Sequence, residues 1–156
     1  MTIGESIPSF LLQGKVALVT GGGTGIGKGI ALEFAKAGAD VAISGRRTAP
    51  LEDVAKEITD LGQRALPISA DISNKTDVDN LVDTVNRDLG QIDILVNNAG
   101  IDIEQANPRI EEVGIDLLEH VFSVNTLGTV RVCKALLPLI RKSTQPTRGL
   151  IANTTS

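Results

Sequence analysis

The sequence predicts an α/β protein built on a doubly wound parallel sheet. Short apolar runs alternate with helical patterns along the chain. The first three helical patterns are each followed by a glycine, at Gly38, Gly62 and Gly90, which is a common helix stop. Residues 92–96 are apolar at nearly every position, which is typical of a parallel strand buried on both faces.

The first half of the chain supplies three strands and three helices. Short runs at residues 15–20, 41–44 and 65–69 are predicted to be strands, the first of them rich in β-branched residues. Apolar residues at helical spacing predict helices at residues 26–37, 51–61 and 75–89. This regular alternation indicates crossover connections between parallel strands.

The second half is predicted to continue the same pattern. Residues 92–96 form the fourth strand, residues 102–114 a polar loop with a short helix, and residues 115–141 a long helix that Pro138 bends near its end. A polar turn at residues 143–148 leads to a fifth strand at residues 150–154. We expect one domain over residues 1–156, with right-handed crossovers and a sheet that is incomplete after the fifth strand, which leaves an unpaired edge.

Composition favours a small globular protein in a reducing compartment. The 156 residues are 42% hydrophobic and 22% charged, which is ordinary for one domain with a core. The net charge of −4 argues against nucleic acid or an anionic membrane as a partner. No apolar run approaches the roughly 20 residues that span a bilayer, the start has no basic signal region, and Cys133 has no disulfide partner. We therefore expect a cytoplasmic location.

A glycine-rich turn connects the first strand and the first helix. Residues 20–27 read Thr-Gly-Gly-Gly-Thr-Gly-Ile-Gly. Glycine permits a tight turn, close approach of a pyrophosphate to the backbone, and close packing of helix on strand. The following helix N-terminus offers free N–H groups to phosphates. The predicted cofactor-binding residues of this turn are Gly21, Thr24, Gly25, Ile26 and Gly27.

Two alternatives for this turn remain open. A glycine cluster can be a flexible loop, although the flanking strand and helix argue against that. Gly22 to Gly27 followed by Lys28 also matches the start of a nucleoside-triphosphate P-loop. That motif needs Ser or Thr at the next position to hold Mg²⁺, and the residue there is Gly29.

The end of the second strand predicts which nicotinamide cofactor is bound. NAD-binding folds place a carboxylate about 20 residues after the glycine turn to bind the ribose 2′-hydroxyl. Here that position is Gly45, followed by Arg46 and Arg47. Guanidinium groups bind phosphate well, so we predict NADP(H) over NAD(H). The alternative is a solvated basic corner; Asp40 lies at the wrong end of the strand to bind ribose.

The spacing Gly21-x-x-x-Gly25-x-Gly27 after Thr20 resembles the short-chain dehydrogenase/reductase family, which has a Rossmann-like fold. The resemblance covers residues 12–156. Further motifs occur in the family's order: Asp71 and Ile72, at the family's adenine-contacting pair; the Asn-Asn-Ala-Gly signature at residues 97–100, which includes Asn98, Ala99 and Gly100; the helix asparagine at Asn125; and the strand ending in the catalytic serine at Ser156.

The resemblance implies hydride transfer between nicotinamide and a carbonyl or alcohol carbon, as in 3-oxoacyl-thioester, sugar or alcohol reductases. It implies that Asn125 supports a proton-relay water, that Ser156 stabilises the substrate oxygen, and that no metal is needed. The family's Tyr-x-x-x-Lys pair would follow the serine, and this chain contains no Tyr. The alternative is therefore a truncated, non-catalytic nucleotide-binding fragment. Full-length members of the family are expected to form homo-oligomers.

Several polar residues also have simpler interpretations. Asn97 and Asn98 could be turn residues, and Asn125 could cap or pack a helix. His120 has no partner cluster in the sequence and is predicted to be a surface or satisfied histidine. Cys133 is predicted to be a small core residue, and Asp93 opens the fourth strand without a readable role.

Overall fold

The computed structural model describes residues 11–102, 109–143 and 149–154. It contains one five-stranded sheet with helices on both faces. The strands are β1 Val16–Thr20, β2 Asp40–Gly45, β3 Ala65–Ser69, β4 Ile94–Asn97 and β5 Leu150–Asn153. The helices are α1 Gly25–Lys36, α2 Thr48–Asp60, α3 Lys75–Asp88, α4 Ile115–Phe122 and α5 Thr129–Ile140.

The sheet confirms the predicted doubly wound topology. Its strand order is β3-β2-β1-β4-β5, and every pairing is parallel. The chain first moves outward from β1 to β3 and then returns to β4 on the other side of β1. Ligands of open α/β sheets bind where the order reverses, at the carboxyl ends of the strands. In this fold that point lies between β1 and β4.

Each face of the sheet carries its own hydrophobic core. One core packs α1 and α2 on the sheet through residues such as Ala31, Leu51 and Ile58. The other packs α3 and α5 on the opposite face through residues such as Leu81 and Leu136. All five residues of β1 are buried, because the strand lies between both layers. The four residues of β4 are buried as well, as the apolar run at residues 92–96 predicts.

Three differences from the predicted elements are larger than one residue. Helix α2 begins at Thr48 rather than at residue 51, and Pro50 fits because the first helical turn does not need its N–H. Strand β4 begins at Ile94 rather than at residue 92. The long helix is interrupted by a π-helical turn at Ser123–Gly128, and it continues through Pro138 to Ile140.

Asp93 directly precedes β4 and has a buried, hydrogen-bonded side chain. Its side chain is buried and accepts hydrogen bonds from the Val16 N–H at 2.8 Å and the Ser143 hydroxyl at 2.5 Å. Since a buried carboxylate needs such partners, Asp93 ties the start of β1 to the segment after α5. The sequence gives no sign of this role.

Strand β5 lies at the edge of the sheet. It pairs with β4, and among residues 11–102, 109–143 and 149–154 no further strand pairs with its other side. The predicted polar loop contains a short 3₁₀ turn at Ile110–Glu112, while residues 103–108 and 144–148 lie outside the described residues. No described helix is long and apolar enough to cross a membrane.

Candidate cofactor site

A cavity of about 270 Å³ opens at the carboxyl ends of β1 to β4. This is near the lower end for small-molecule sites, roughly 300–1,000 Å³. Its wall combines five segments of the chain. The lining residues are Gly21, Gly23, Thr24, Ser44, Gly45, Arg46, Arg47, Pro50, Leu51, Ala70, Asp71, Ile72, Asn98, Ala99, Gly100, Ile101 and Val124.

The structure brings together most of the residues predicted from the sequence. Nine of the twelve predicted cofactor-binding residues line this cavity directly; they are Gly21, Thr24, Arg46, Arg47, Asp71, Ile72, Asn98, Ala99 and Gly100. Gly25, Ile26 and Gly27 are not in the lining. Ile26 points into solvent, with 73% of its surface exposed, so any contact with a ligand would come from its backbone.

The glycine turn packs directly on the loop after β4. A Cβ atom at Gly27 would lie 2.2 Å from Gly21 O and 2.5 Å from Asn98 Nδ2. A Cβ atom at Gly21 would lie 2.9 Å from both Ala99 Cα and Asn98 Nδ2. Asn98 Nδ2 donates to Thr20 O at 3.1 Å. Glycine is required here because the two loops meet at backbone distance.

Thr20 also connects the glycine turn to the loop after β4. Its hydroxyl accepts hydrogen bonds from the N–H groups of Asn98 and Ala99, each at 3.0 Å. The side chain is fully buried. Since β1 and β4 are adjacent in the sheet, this single hydroxyl sets the position of one loop relative to the other.

Replacing Thr20 by valine is expected to lower the free energy of unfolding by about 2 kcal/mol or more, because two N–H groups lose their acceptor. Urea unfolding monitored by circular dichroism measures this loss. Thr20→Ser is the matched control: it keeps the acceptor and should cost only about 1 kcal/mol for the lost methyl group. Equal losses in the two variants would contradict the role of the hydroxyl.

The N-terminus of α1 is open towards the cavity. Thr24 is the N-cap residue, but its side chain makes no capping hydrogen bond, and the first turn carries no acidic residue. In α3, by contrast, Asn74 Oδ1 accepts from the N–H groups of Thr76 and Asp77. The first N–H groups of a helix have no partner within it. Those of α1 are therefore available to an anion, with the positive end of the helix dipole behind them.

Two arginines follow β2 at the rim of the cavity. Arg46 and Arg47 are exposed, and neither guanidinium forms an ion pair with a carboxylate of the described residues. Gly45, which precedes them, lines the cavity without a side chain. Asp40 lies at the opposite end of β2, as its position in the sequence predicts, and there it pairs with Arg64 at 2.7 Å.

Asp71 supplies a carboxylate at the end of the cavity beyond β3. Partial burial is the largest single influence on the pKa of this carboxyl and raises it, while the hydrogen bonds from the Ser73 hydroxyl and N–H, at 2.7 and 2.8 Å, lower it. The positive charges of Arg46 and His120 act in the same direction, so the pKa of Asp71 lies below its usual value. Asp71 is therefore an ionised acceptor at neutral pH.

Asn125 lies in the π-helical turn, and its side chain forms hydrogen bonds with the loop after β4. Its Oδ1 accepts from the Ile101 N–H and its Nδ2 donates to Ile101 O, both at 2.9 Å. The side chain thus acts as a clamp on Ile101, which lines the cavity. This geometry agrees with the packing interpretation of Asn125 and leaves its predicted role in proton relay a prediction.

Strands β4 and β5 are also joined by side chains at their carboxyl ends. Asn97 Nδ2 donates to Asn153 Oδ1 at 2.9 Å and lies 3.1 Å from Cys133 Sγ. Cys133 is half-buried against one core, as predicted. The predicted catalytic Ser156 lies outside the described residues.

Sequence reasoning missed several residues of the cavity wall. Ile101 and Val124 are adjacent in sequence to predicted site residues, and that adjacency is the only signal that could have found them. Pro50 and Leu51 come from the early start of α2. Ser44 is the second-last residue of β2, and its buried hydroxyl has no hydrogen-bond partner among the described residues.

Comparisons with known proteins agree with this architecture. The sequence model of the family described as short chain dehydrogenase matches residues 15–156. A hydroxynaphthalene reductase of Aspergillus fumigatus is 41% identical over 124 residues, which are 79% of this chain and 44% of that protein. The chain spans about half the length of the curated relatives it matches, 41% to 53% among those most similar.

Two solved structures extend the comparison. L-sorbose reductase of Gluconobacter frateurii, in complex with NADPH and L-sorbose, superposes with a TM-score of 0.81 and 32% identity, covering 93% of this chain and 53% of that one. A 7α-hydroxysteroid dehydrogenase in complex with NADH superposes with a TM-score of 0.83 and 32% identity, covering 95% of this chain and 55% of that one. Sequence, topology and site geometry therefore agree, and the chain belongs to the short-chain dehydrogenase family.

Proposed function

We propose that this chain forms the NADP(H)-binding part of an oxidoreductase that acts on a carbonyl or alcohol. The observation that carries the proposal is the pair of guanidiniums of Arg46 and Arg47 beside Gly45 at the rim of the cavity, which form no ion pair within the part of the chain that the structure describes. No acidic side chain at this position repels a 2′-phosphate. Both arginines and Thr24, the N-cap residue of α1, line the same cavity, so one ligand with two separate phosphate groups can reach both places.

The residues present fit a dinucleotide phosphate. The pyrophosphate would lie against the glycine turn, where any side chain at Gly21 or Gly27 would collide with backbone. The uncapped N–H groups at the start of α1 and the Thr24 hydroxyl would donate to its oxygens. Gly25 and Ile26 are the first two residues of α1, so we expect them to bind the cofactor through their backbone N–H groups.

The adenine end would lie between Arg46 and the loop after β3. Asp71, whose pKa is lowered, offers an ionised acceptor to an exocyclic amino group, and Ile72 offers an apolar wall. The 2′-phosphate would be held by Arg46 and Arg47, whose planar guanidiniums match phosphate oxygens. Asn98, Ala99 and Gly100 would line the middle of the cofactor.

The bound cofactor would supply a hydride to a carbonyl carbon or accept one from an alcohol carbon. The relatives are named for reduction of a hydroxynaphthalene and of L-sorbose, and we propose a small-molecule carbonyl or alcohol as the substrate class here. Asn125 holds the wall at Ile101, and we propose Ser156 as the group that stabilises the substrate oxygen.

The nucleoside-triphosphate alternative has less support. Lys28 would have to reach the phosphates in a P-loop. Its Nζ instead pairs with Glu57 of α2 at 2.8 Å, and the residue is not in the cavity lining. No group of three or more His, Cys, Asp or Glu among the described residues could hold a metal ion.

The chain should bind NADPH but should not oxidise it with a ketone or aldehyde, because it contains no Tyr to serve as the general acid. General acid catalysis contributes typically about 10²–10⁴-fold to rate. Two measurements test the proposal. The enhanced fluorescence of bound NADPH reports binding, and the absorbance of NADPH with added ketone or aldehyde reports its oxidation. Absence of binding would overturn the cofactor assignment. Carbonyl-dependent oxidation would show that the chain itself carries a sufficient proton donor.

A further inference from the structure

The π-helical turn and the start of α5 also contact the loop after β3. This contact is separate from the one that Asn125 makes with Ile101. Gly128 is buried, and a Cβ atom there would lie 2.8 Å from Ile72 Cγ1 and 2.9 Å from Ile72 Cδ1. Arg131 Nη1 donates a hydrogen bond to Ile72 O at 2.8 Å. Both contacts therefore act on Ile72: Gly128 packs against its side chain, and Arg131 binds its carbonyl oxygen.

The same short stretch of helix thus fixes two walls of the cavity. Asn125 holds the backbone of Ile101, after β4. Gly128 and Arg131 hold Ile72, after β3. Because Ile101 and Ile72 line the same cavity, a shift of this helix would move both walls together.

Arg131 is an unusual donor for this carbonyl. It is half-buried, it forms no ion pair with a carboxylate of the described residues, and it reaches a residue 59 positions earlier. Ile72 lies inside the turn in which Asp71 Oδ1 accepts from Ser73. Fixing the Ile72 carbonyl therefore also fixes how this turn presents its carboxylate and its apolar side chain to the cavity.

We propose that Arg131 and Gly128 are positioning residues for the adenine half of the cofactor. They act through Ile72: Arg131 holds its carbonyl, and the missing side chain of Gly128 lets its side chain lie flat against the helix. This inference rests on the proposed function of the cavity. It predicts that affinity for an adenine nucleotide depends on two residues that do not line the cavity.

The test is the affinity of purified chain variants for 2′,5′-ADP, measured by calorimetry well below the melting temperature. Arg131→Met keeps most of the apolar stem but removes the donor, and we expect the Kd to rise about fivefold, as for one lost hydrogen bond. Arg131→Lys can still donate and should recover most of the affinity. Lys134→Met is the matched control, because Lys134 is exposed on the same helix and its loss changes the net charge equally; its Kd should stay within about twofold.

A second variant keeps the test valid if Arg131→Met folds poorly. Gly128→Ala pushes on Ile72, so its Kd should also rise. Adding Ile72→Ala should remove the part of this rise that comes from the Ile72 side chain, while the added Cβ would still lie 3.2 Å from Ile72 O. A lower melting temperature with unchanged Kd in both single variants would assign these residues a structural role only and overturn the inference. Failure of the wild-type chain to bind 2′,5′-ADP would instead overturn the proposed function, and this inference with it.

Discussion

Gly27→Ala is expected to destabilise the chain by about 3 kcal/mol or more, at the upper end of the cost of overpacking. The added Cβ would lie 2.2 Å from Gly21 O and 2.8 Å from Gly21 C. These are backbone atoms, so no side-chain rotation can relieve the collision. The added Cβ would also lie 2.5 Å from Asn98 Nδ2, so the turn and α1 must separate, and the hydrogen bond from Asn98 Nδ2 to Thr20 O is disturbed as well.

Thermal unfolding measures this effect, with an expected fall in melting temperature of roughly 6–12 °C. Gly29→Ala is the matched control on the same helix. A Cβ atom at Gly29 meets nothing within 4 Å, so this change should stabilise the chain by about 0.5–1 kcal/mol through helix propensity. If both variants are stabilised, the turn and the loop after β4 are not in contact as described.

Joint replacement of Arg46 and Arg47 by alanine is expected to raise the Kd for NADPH by about 30- to 100-fold, as for two charge-assisted hydrogen bonds lost at an exposed site. The Kd for NADH should change by less than about threefold, because NADH has no 2′-phosphate for these groups to bind. Fluorescence titration with each nucleotide measures both constants.

Joint replacement of Arg141 and Lys142 by alanine is the control for net charge. Both residues are exposed after α5, and their loss lowers the charge by the same amount at a place outside the cavity lining. NADPH affinity should then stay nearly constant at moderate salt, since distant exposed charges are screened. Equal weakening of NADPH and NADH by the Arg46 and Arg47 changes would contradict recognition of the 2′-phosphate.

Much of the fold follows from local sequence patterns. The glycine turn, the buried run of β4 and the glycine after each early helix are signals that lie within a few residues of the element they mark. The parallel sheet then follows from the order of the elements. These features could be predicted because the physical cause and the signal occupy the same segment.

The contacts that shape the cavity are different, because they join distant residues. Thr20 binds N–H groups 78 and 79 positions later, and Asp93 bonds a residue 77 positions earlier. The π-helical turn has no marker in the sequence, since its residues also fit an ordinary helix. The clamp of Asn125 on Ile101 and the contact of Arg131 with Ile72 depend on this turn, and so could not be predicted.

The most direct test of the NADP(H) assignment is a crystal structure of the chain grown with NADPH. We predict the 2′-phosphate within hydrogen-bond distance of the Arg46 and Arg47 guanidiniums, and the pyrophosphate against the first N–H groups of α1. The adenine ring should lie beside Asp71 and Ile72. Nucleotide bound elsewhere, or a 2′-phosphate directed into solvent away from both arginines, would contradict the account.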